Sequence, residues 1–591
     1  MVSLEGAGSR PEISYVKQWK LRETEDGPVQ ELARRSLLAT PLARALMLRG
    51  VSATGEVDRF LNPRLSDVAD PFVLPDMRTA VARIWQALKA GESIVVYGDY
   101  DVDGVTSAAL MSHVLTCLGG KVARFLPSRS EEGYGLNAET VERCVSLYHP
   151  GLIVTTDCGS GAHEAARAAA KAGVDIVVTD HHEVGAEGPA PVVAVVNPKL
   201  GPDIPSRFLS GVGVAFKVCH ALLKTGRDQK QAAAFAVDLR EVLDLVALGT
   251  VSDMVPMIHE NRILVRHGLI QLNRRERLGL RVLSEVAGAT GELGTYHVGF
   301  VLGPRMNAAG RMGKADEALE LLLTQESDKA LELARFLDAA NQDRKQVESE
   351  IMDEAVRRID AYYDPALHFG IVVGDVGWHV GVVGIVASRL VSKYGRPAIV
   401  VGFDEQGVGR GSCRSVEGFD LLGGLKECSR YLSRHGGHEM AAGLEVQHGV
   451  FEEFQKAFHA VCEAGLKGRD LRRSLELDSW VSLAEVLDPG FMEVTTRMGP
   501  FGERNREPVW GLKGVQLVGA PKVLKGGHLK LRVGLGSDVC EVIGFKMSER
   551  LPEWQEGPMD LAFNLRTNTY MNRTTPQLNL LDFRSGTTGV P

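Results

Sequence analysis

Asp180, His181 and His182 close the apolar run Asp175-Ile176-Val177-Val178-Thr179, and two other acidic groups close similar runs. Asp99, Asp101 and Asp103 follow Ile94-Val95-Val96, and Asp157 follows Leu152-Ile153-Val154-Thr155-Thr156. Carboxylates gathered in one place repel one another unless cations lie between them, and an imidazole beside them favours a transition metal over calcium. Hydrolysis at a pair of metal ions is the chemistry this points to. In Tyr97-Gly98-Asp99-Tyr100-Asp101-Val102-Asp103-Gly104 the acids are spaced by two, so extended backbone sends their side chains the same way. Each group alone has a plainer reading. An Asp- and Gly-rich turn caps a helix, Asp157 before Cys158-Gly159-Ser160-Gly161 is equally an N-cap, and a lone pair of histidines is more often structural. Asp253, in Gly249-Thr250-Val251-Ser252-Asp253-Met254-Val255-Pro256, would cap the helix ending near Leu248. What favours the metal reading is that every acid falls at the same edge of one inferred sheet.

The elements that must hold these residues alternate regularly. A helix at 80–90 leads to a strand at 93–97, then helix 105–118, strand 122–126, helix 138–147, the strand before Asp157, helix 162–172, the strand before Asp180 and a strand at 192–196. Short β-branched runs between helical patterns predict a parallel sheet, whose carboxyl edge is where open α/β sheets bind ligands. After Gly211 the pattern turns helical. Residues 315–362 hold almost no Gly or Pro and repeat apolar residues at three and four, which predicts a long connecting helix. A second α/β unit starts at Phe369, with helix 382–394 and strand 398–401, and runs to about Leu466. From Leu475 short apolar segments alternate with Gly-rich turns in the spacing of a small β-barrel.

With 591 residues the chain is too long for a single core. The eight cysteines are scattered without a C-x-x-C pair, which fits a reducing cytoplasm and argues against a zinc ribbon or a disulfide framework. Residues 1–20 lack the apolar core of a signal peptide, and the most apolar stretch, near 371–390, is broken by Asp375, His379 and Arg389, so no membrane span is expected. A net charge of -8 speaks against indiscriminate coating of nucleic acid. Locally, seven basic residues (Arg504, Arg506, Lys513, Lys522, Lys525, Lys530, Arg532) face two acidic ones between Phe501 and Arg532. That surface could meet phosphates, or it could be a solvated strand face.

Taken in order, YGDYDVDG, TTDCG, TDHH and GTVSDMVP resemble the four motifs of the DHH phosphoesterase superfamily. GWHVGVVGIVASRL, GSCRS and GGHEMAAG resemble its associated second domain, and PRMNAAGRM and GPFGERN resemble the RecJ-like branch of bacterial single-strand exonucleases. The resemblance covers roughly residues 75–591. After a helical lead-in read from the residues (1–75), it implies an α/β chain with a parallel-sheet DHH catalytic domain (76–325), a connecting helix (326–365), a smaller DHHA1-type substrate domain (366–467) and an OB-fold barrel (468–591).

By the same resemblance, Asp101, Asp103, Asp157, His181 and Asp253 ligate two divalent cations, Mn²⁺ or Mg²⁺, with Asp157 bridging them. His182 completes the catalytic set by contacting phosphate or orienting the site. Asp99 matches the motif without a ligand role, and Tyr97 stands where some relatives place a histidine ligand. Arg129, Arg305, Arg311, Arg410, Ser412, Arg414 and His438 are candidates for the substrate path, since guanidinium forks suit phosphate oxygens; read from the residues alone, the arginines are equally surface groups. Phe501 and Trp510 are either stacking residues of the barrel or core, and Arg504 replaces an expected glycine after GPFG. The implied activity is 5′ to 3′ degradation of single-stranded DNA to mononucleotides in recombination and repair, alongside a single-strand-binding protein and a helicase. The alternatives are a phosphodiesterase for short oligonucleotides or cyclic dinucleotides, and a non-catalytic DNA-binding relative.

Overall fold

A computed structural model of the chain describes residues 17–127, 135–311, 314–472, 474–554, 557–570 and 573–586. The chain divides into two compact units, Leu21–Asn341 with Glu476–Pro591, and Met1–Lys20 with Gln342–Leu475. The helix Ser327–Asp360 begins in the first and ends in the second.

In the first unit five parallel strands form one sheet in the order Lys121–Phe125, Ser93–Gly98, Leu152–Thr156, Asp175–Thr179, Ala194–Val196. The chain enters at Ser93–Gly98, moves outward to Lys121–Phe125, and returns on the other side at Leu152–Thr156, so the strand order reverses between the first and third strands in sequence. A crevice opens at such a switch point. Alternate side chains feed two cores: Ile94 and Val96 pack with helices Met77–Ala90, Val102–Cys117 and Gly211–Asp228 on one face, while Val95 and Tyr97 pack with Ala138–Tyr148 and His163–Ala172 on the other. Burial on both faces explains why these strands read as unbroken apolar runs.

The same unit carries the barrel. Trp510–Leu517, Met559–Tyr570, Arg573–Ser585, Asp538–Gly544 and His528–Leu535 pair in that order, and Gln516↔Gly534 with Leu517↔Val533 closes the ring. The barrel core is shared with the N-terminal helices Asp26–Ser36, Thr40–Met47 and Thr54–Leu61, through Val29, Leu42, Leu46 and Leu61 among others. Residues expected to lead into the catalytic domain thus complete the barrel's core. Trp510 is fully buried in it, with its ring 5.1 Å from Phe491, and Phe501 packs against it half-buried. Of the two readings of these aromatics, core is the one realised.

The second unit holds a five-stranded sheet in which Ile371–Val376 and Ala398–Phe403 are parallel, and Val408–Arg414, Ala441–Gln447 and Leu432–Gly437 continue it antiparallel. Helices Val383–Tyr394 and Phe451–Leu466 cover it.

Candidate metal centre

The strand registers Gly98↔Thr156 and Thr156↔Thr179 bring three strand ends level, so the residues that follow, Asp99, Asp157 and Asp180, emerge side by side at the carboxyl edge. Asp101 caps helix Val102–Cys117, its Oδ1 accepting the amides of Asp103 and Gly104 at 3.0 Å. The capping and ligand readings are compatible, because a carboxylate has a second oxygen. The amides of Gly211 and Val212, at the start of another helix, donate to Asp103 at 2.6 and 2.9 Å. Asp157 sits at φ 64°, a conformation a non-glycine residue rarely adopts. A Cβ at Gly211 would lie 2.4 Å from its Oδ1, so only glycine lets that helix approach.

His181 Nε2 lies 3.2 Å from Asp157, 3.6 Å from Asp253 and 4.0 Å from Asp103. It is buried without a hydrogen-bond partner, as are Asp157 Oδ1 and Asp99 Oδ2. Three unpartnered polar atoms in one buried cluster leave a desolvation cost that a bound cation would offset. The ligand atoms of Asp103, His181 and Asp253 lie within 4.8 Å of one another, and so do those of Asp157, His181 and His182, and those of Asp99, Asp101 and Asp157. The donor set, carboxylates and imidazole, suits Mn²⁺ and Mg²⁺.

Electrostatics agree. Burial, and then the charge of Asp101, pushes Asp99 and Asp253 up to about 7. Burial drives Asp103 and Asp157 well above the carboxylate range, with neighbouring carboxylates adding to it. Burial, and then the charge of His182, holds His181 down at about 3, so its imidazole is neutral and available as a ligand. Burial opposes charge on His182 as well, but the hydrogen bond from its Nδ1 to Asp180, 2.8 Å, outweighs that and raises it.

Asp180 is the residue the sequence placed first and gave no role. It accepts the amides of Ser160, His181 and His182, and Asn197 donates to Ser160 Oγ at 2.8 Å and to the His182 carbonyl at 2.9 Å. Together they fix the two histidines. The available signal was position: Asn197 follows the fifth strand at the same edge. Tyr97 faces the other side, its hydroxyl on Thr140 at 3.0 Å and its ring stacked 5.3 Å from Phe125.

Among the substrate-path candidates, Arg410, Ser412 and Arg414 alternate along Val408–Arg414, so they share one face of the second unit's sheet. Arg414 Nη1 donates to Ser412 Oγ at 2.9 Å. The first turn of helix Val383–Tyr394 abuts them, since a Cβ on Gly384 would lie 3.0 Å from Ser412 Oγ. His438 is exposed in the turn before Ala441–Gln447. Arg305 is otherwise engaged: its guanidinium donates to Asp338 at 2.9 Å and to the Val301 carbonyl at 2.7 Å, which makes it a brace between helices rather than a free phosphate ligand. Arg129 and the side chain of Arg311 lie outside the described residues.

Comparison with known proteins gives matches along nearly the whole chain. Residues 93–250 match the DHH family N-terminal domain, 368–464 the DHHA1 domain and 477–582 the RecJ OB domain. The chain is 37% identical to the single-stranded-DNA-specific exonuclease RecJ of Bacillus subtilis, over 96% of this chain and 70% of that one. It is 34% identical to the exonuclease of the same name from Escherichia coli, over 95% and 98%. The crystal structure of RecJ in complex with Mn²⁺ from Thermus thermophilus superposes with a TM-score of 0.79 at 30% identity, over 97% of this chain and 80% of that one, and the Mg²⁺ complex does so at 0.74 and 28%, over 97% and 79%.

Proposed function

Because the chain belongs to the RecJ family of single-stranded-DNA-specific exonucleases and is a metal-dependent exonuclease of single-stranded DNA using Mn²⁺ or Mg²⁺, we propose that Asp101, Asp103, Asp157, His181 and Asp253 hold its two cations. Asp157, which belongs to two of the candidate ligand groups, would be shared by both, and Asp99, with its unpartnered oxygen, would join the set. The observation that carries this is the buried His181 Nε2, ringed by three carboxylates and lacking a hydrogen bond. Held there, a pair of divalent cations would supply an activated water and offset charge on the phosphorus oxygens.

The chain's own residues do the rest. The helix amides at Gly211 and Val212 keep the Asp103 carboxylate turned into the crevice. Asp180 holds the His182 imidazole through Nδ1, and its bonds to both histidine amides, with Asn197 on the His182 carbonyl, fix the backbone that carries the two rings. His182, half-exposed and favoured in its protonated form by Asp180, faces a scissile phosphate and donates to its oxygen.

In our reading the strand is degraded 5′ to 3′ and leaves as mononucleotides. Arg414, Ser412 and the adjoining helix N-terminus receive the terminal phosphate, with Arg410 and His438 as further phosphate contacts of that unit; Arg129 and Arg311 stay candidates by resemblance alone. The barrel extends the path: Phe545 is exposed with its ring 5.2 Å from His528, a pair suited to base stacking, with Lys525 and Lys546 near it in sequence. A cyclic dinucleotide would need no such surface. We place the work in cytoplasmic recombination and repair beside a single-strand-binding protein and a helicase; among the described residues no helix is long and apolar enough to cross a membrane. Mn²⁺-dependent digestion of 5′-labelled single-stranded, double-stranded and dinucleotide substrates tests this. Single strands should disappear fastest, releasing label first as mononucleotide, whereas preferential cleavage of the dinucleotide would overturn it.

A further inference from the structure

The segment from Asp253 to Ile258 joins helix Leu243–Ser252 to helix His259–Arg274 and carries the one candidate ligand that follows a helix rather than a strand. It is bracketed by two left-handed residues, Met254 at φ 61° and His259 at φ 47°. Such backbone costs of order 1 kcal/mol or more per residue and persists only where its surroundings enforce it. Here the barrel domain supplies the enforcement. The Met257 amide donates to the Glu503 carbonyl at 2.7 Å, and a Cβ on Gly502 would lie 3.1 Å from Met257. Arg262, buried on the following helix, donates from Nη2 to the carbonyls of Arg497, Met498 and Gly499 at 3.0, 3.1 and 2.7 Å, and lies 3.9 Å over the Phe60 ring. Asn505 donates to the Met498 and Pro500 carbonyls at 3.1 and 2.8 Å, fixing the loop that Arg262 grips. Arg504, itself at φ 57°, lies over Phe208, whose ring stacks on His259.

We infer that the Gly499–Arg506 loop, seated by Arg262, positions the Asp253 carboxylate, so that a domain read as a DNA-binding accessory also tunes one metal site. Arg262 and Asn505 are positioning residues, touching neither metal nor substrate. The inference rests on Asp253 being a ligand, and the test separates the two ideas.

Mn²⁺ affinity of each site is measured by titration calorimetry and by electron paramagnetic resonance for the full-length wild type, Arg262→Met, Arg262→Lys, Asn505→Ala and Asp253→Asn. Arg262→Met is expected to raise the dissociation constant of one site about tenfold and leave the other unchanged, to lower kcat at sub-saturating Mn²⁺ with KM for DNA unaltered, and to be partly rescued in Arg262→Lys. Wild-type affinity at both sites in folded Arg262→Met, or equal weakening of both, overturns the inference. Should that variant fail to fold, Asn505→Ala is judged on the same readout. If Asp253→Asn leaves both affinities intact, the ligand assignment fails instead.

Discussion

A neutral imidazole among carboxylates that want protons is stable only with positive charge between them, and the metal-free protein should reveal this through pH. Asp99 and Asp253, raised to about 7, keep protons when folded that they release near pH 4 when unfolded. Folding then binds protons, and stability falls as pH rises from about 4 through 7. His182, also raised, acts in the same sense, whereas His181, depressed, acts oppositely below about pH 6.5. Between pH 6.5 and 8 the melting temperature of chelator-treated protein should therefore drop, and Mn²⁺ should restore more at pH 8, where protons no longer compete. A melting temperature that rises across that interval would contradict the carboxylate cluster. Arg414→Ala tests the strand path: loss of a charge-assisted hydrogen bond costs about 1.5 to 3 kcal/mol, or roughly ten- to a hundred-fold in rate, on 5′-phosphorylated strands and less on 5′-hydroxyl strands. Equal slowing of both would remove Arg414 from end recognition. The ligand candidates were legible because each ends a buried apolar run. The roles of Asp180 and Asn197 were not, since a residue that orients others announces itself only through its hydrogen bonds.

Among elements, the buried pair Lys217 and Glu260 ties helix Gly211–Asp228, whose first amides hold Asp103, to helix His259–Arg274, at 2.8 Å. Glu260 also accepts from Ser206, and Lys217 donates to the Ala69 carbonyl at 2.6 Å. Lys217→Met would strand a buried carboxylate and should destabilise by about 3 to 5 kcal/mol, read as a lower urea midpoint; a change under about 1 kcal/mol would mean that water relieves Glu260. This pair was not legible beforehand, because a lysine in a helical pattern reads as solvated. The catalytic strands and helices were legible to within a few residues: the strand expected at 122–126 spans Lys121–Phe125, and the helix expected at 162–172 spans His163–Ala172. Burial on both faces gave the strands their signal.

At the scale of the molecule, the barrel shares its core with helices more than four hundred residues earlier in the chain, Val29 and Leu46 packing with Trp510 and Phe563. Apolar periodicity marks a face but not what covers it, so this union was invisible in sequence. It also alters how the barrel's role is tested, because truncation near residue 470 would expose those helices. Point changes avoid that. Lys522 and Lys525 are exposed at the barrel's edge strand, and replacing both by glutamine should weaken binding to long single strands and lower the salt slope by about 1 to 2, with cleavage of a few-nucleotide substrate unchanged. An unaltered salt slope would take the DNA path off this edge.

We propose that two cations held by the carboxylate and imidazole cluster hydrolyse the strand. Asp157→Asn is the most direct test, because asparagine tolerates the left-handed backbone at this position while losing the charge that would bridge the ions. Calorimetric titration with Mn²⁺, alongside exonuclease assay at saturating metal, should find a folded protein that binds fewer than two ions tightly and has lost hydrolysis. Two tightly bound Mn²⁺ with near wild-type turnover would contradict a two-cation site at Asp157.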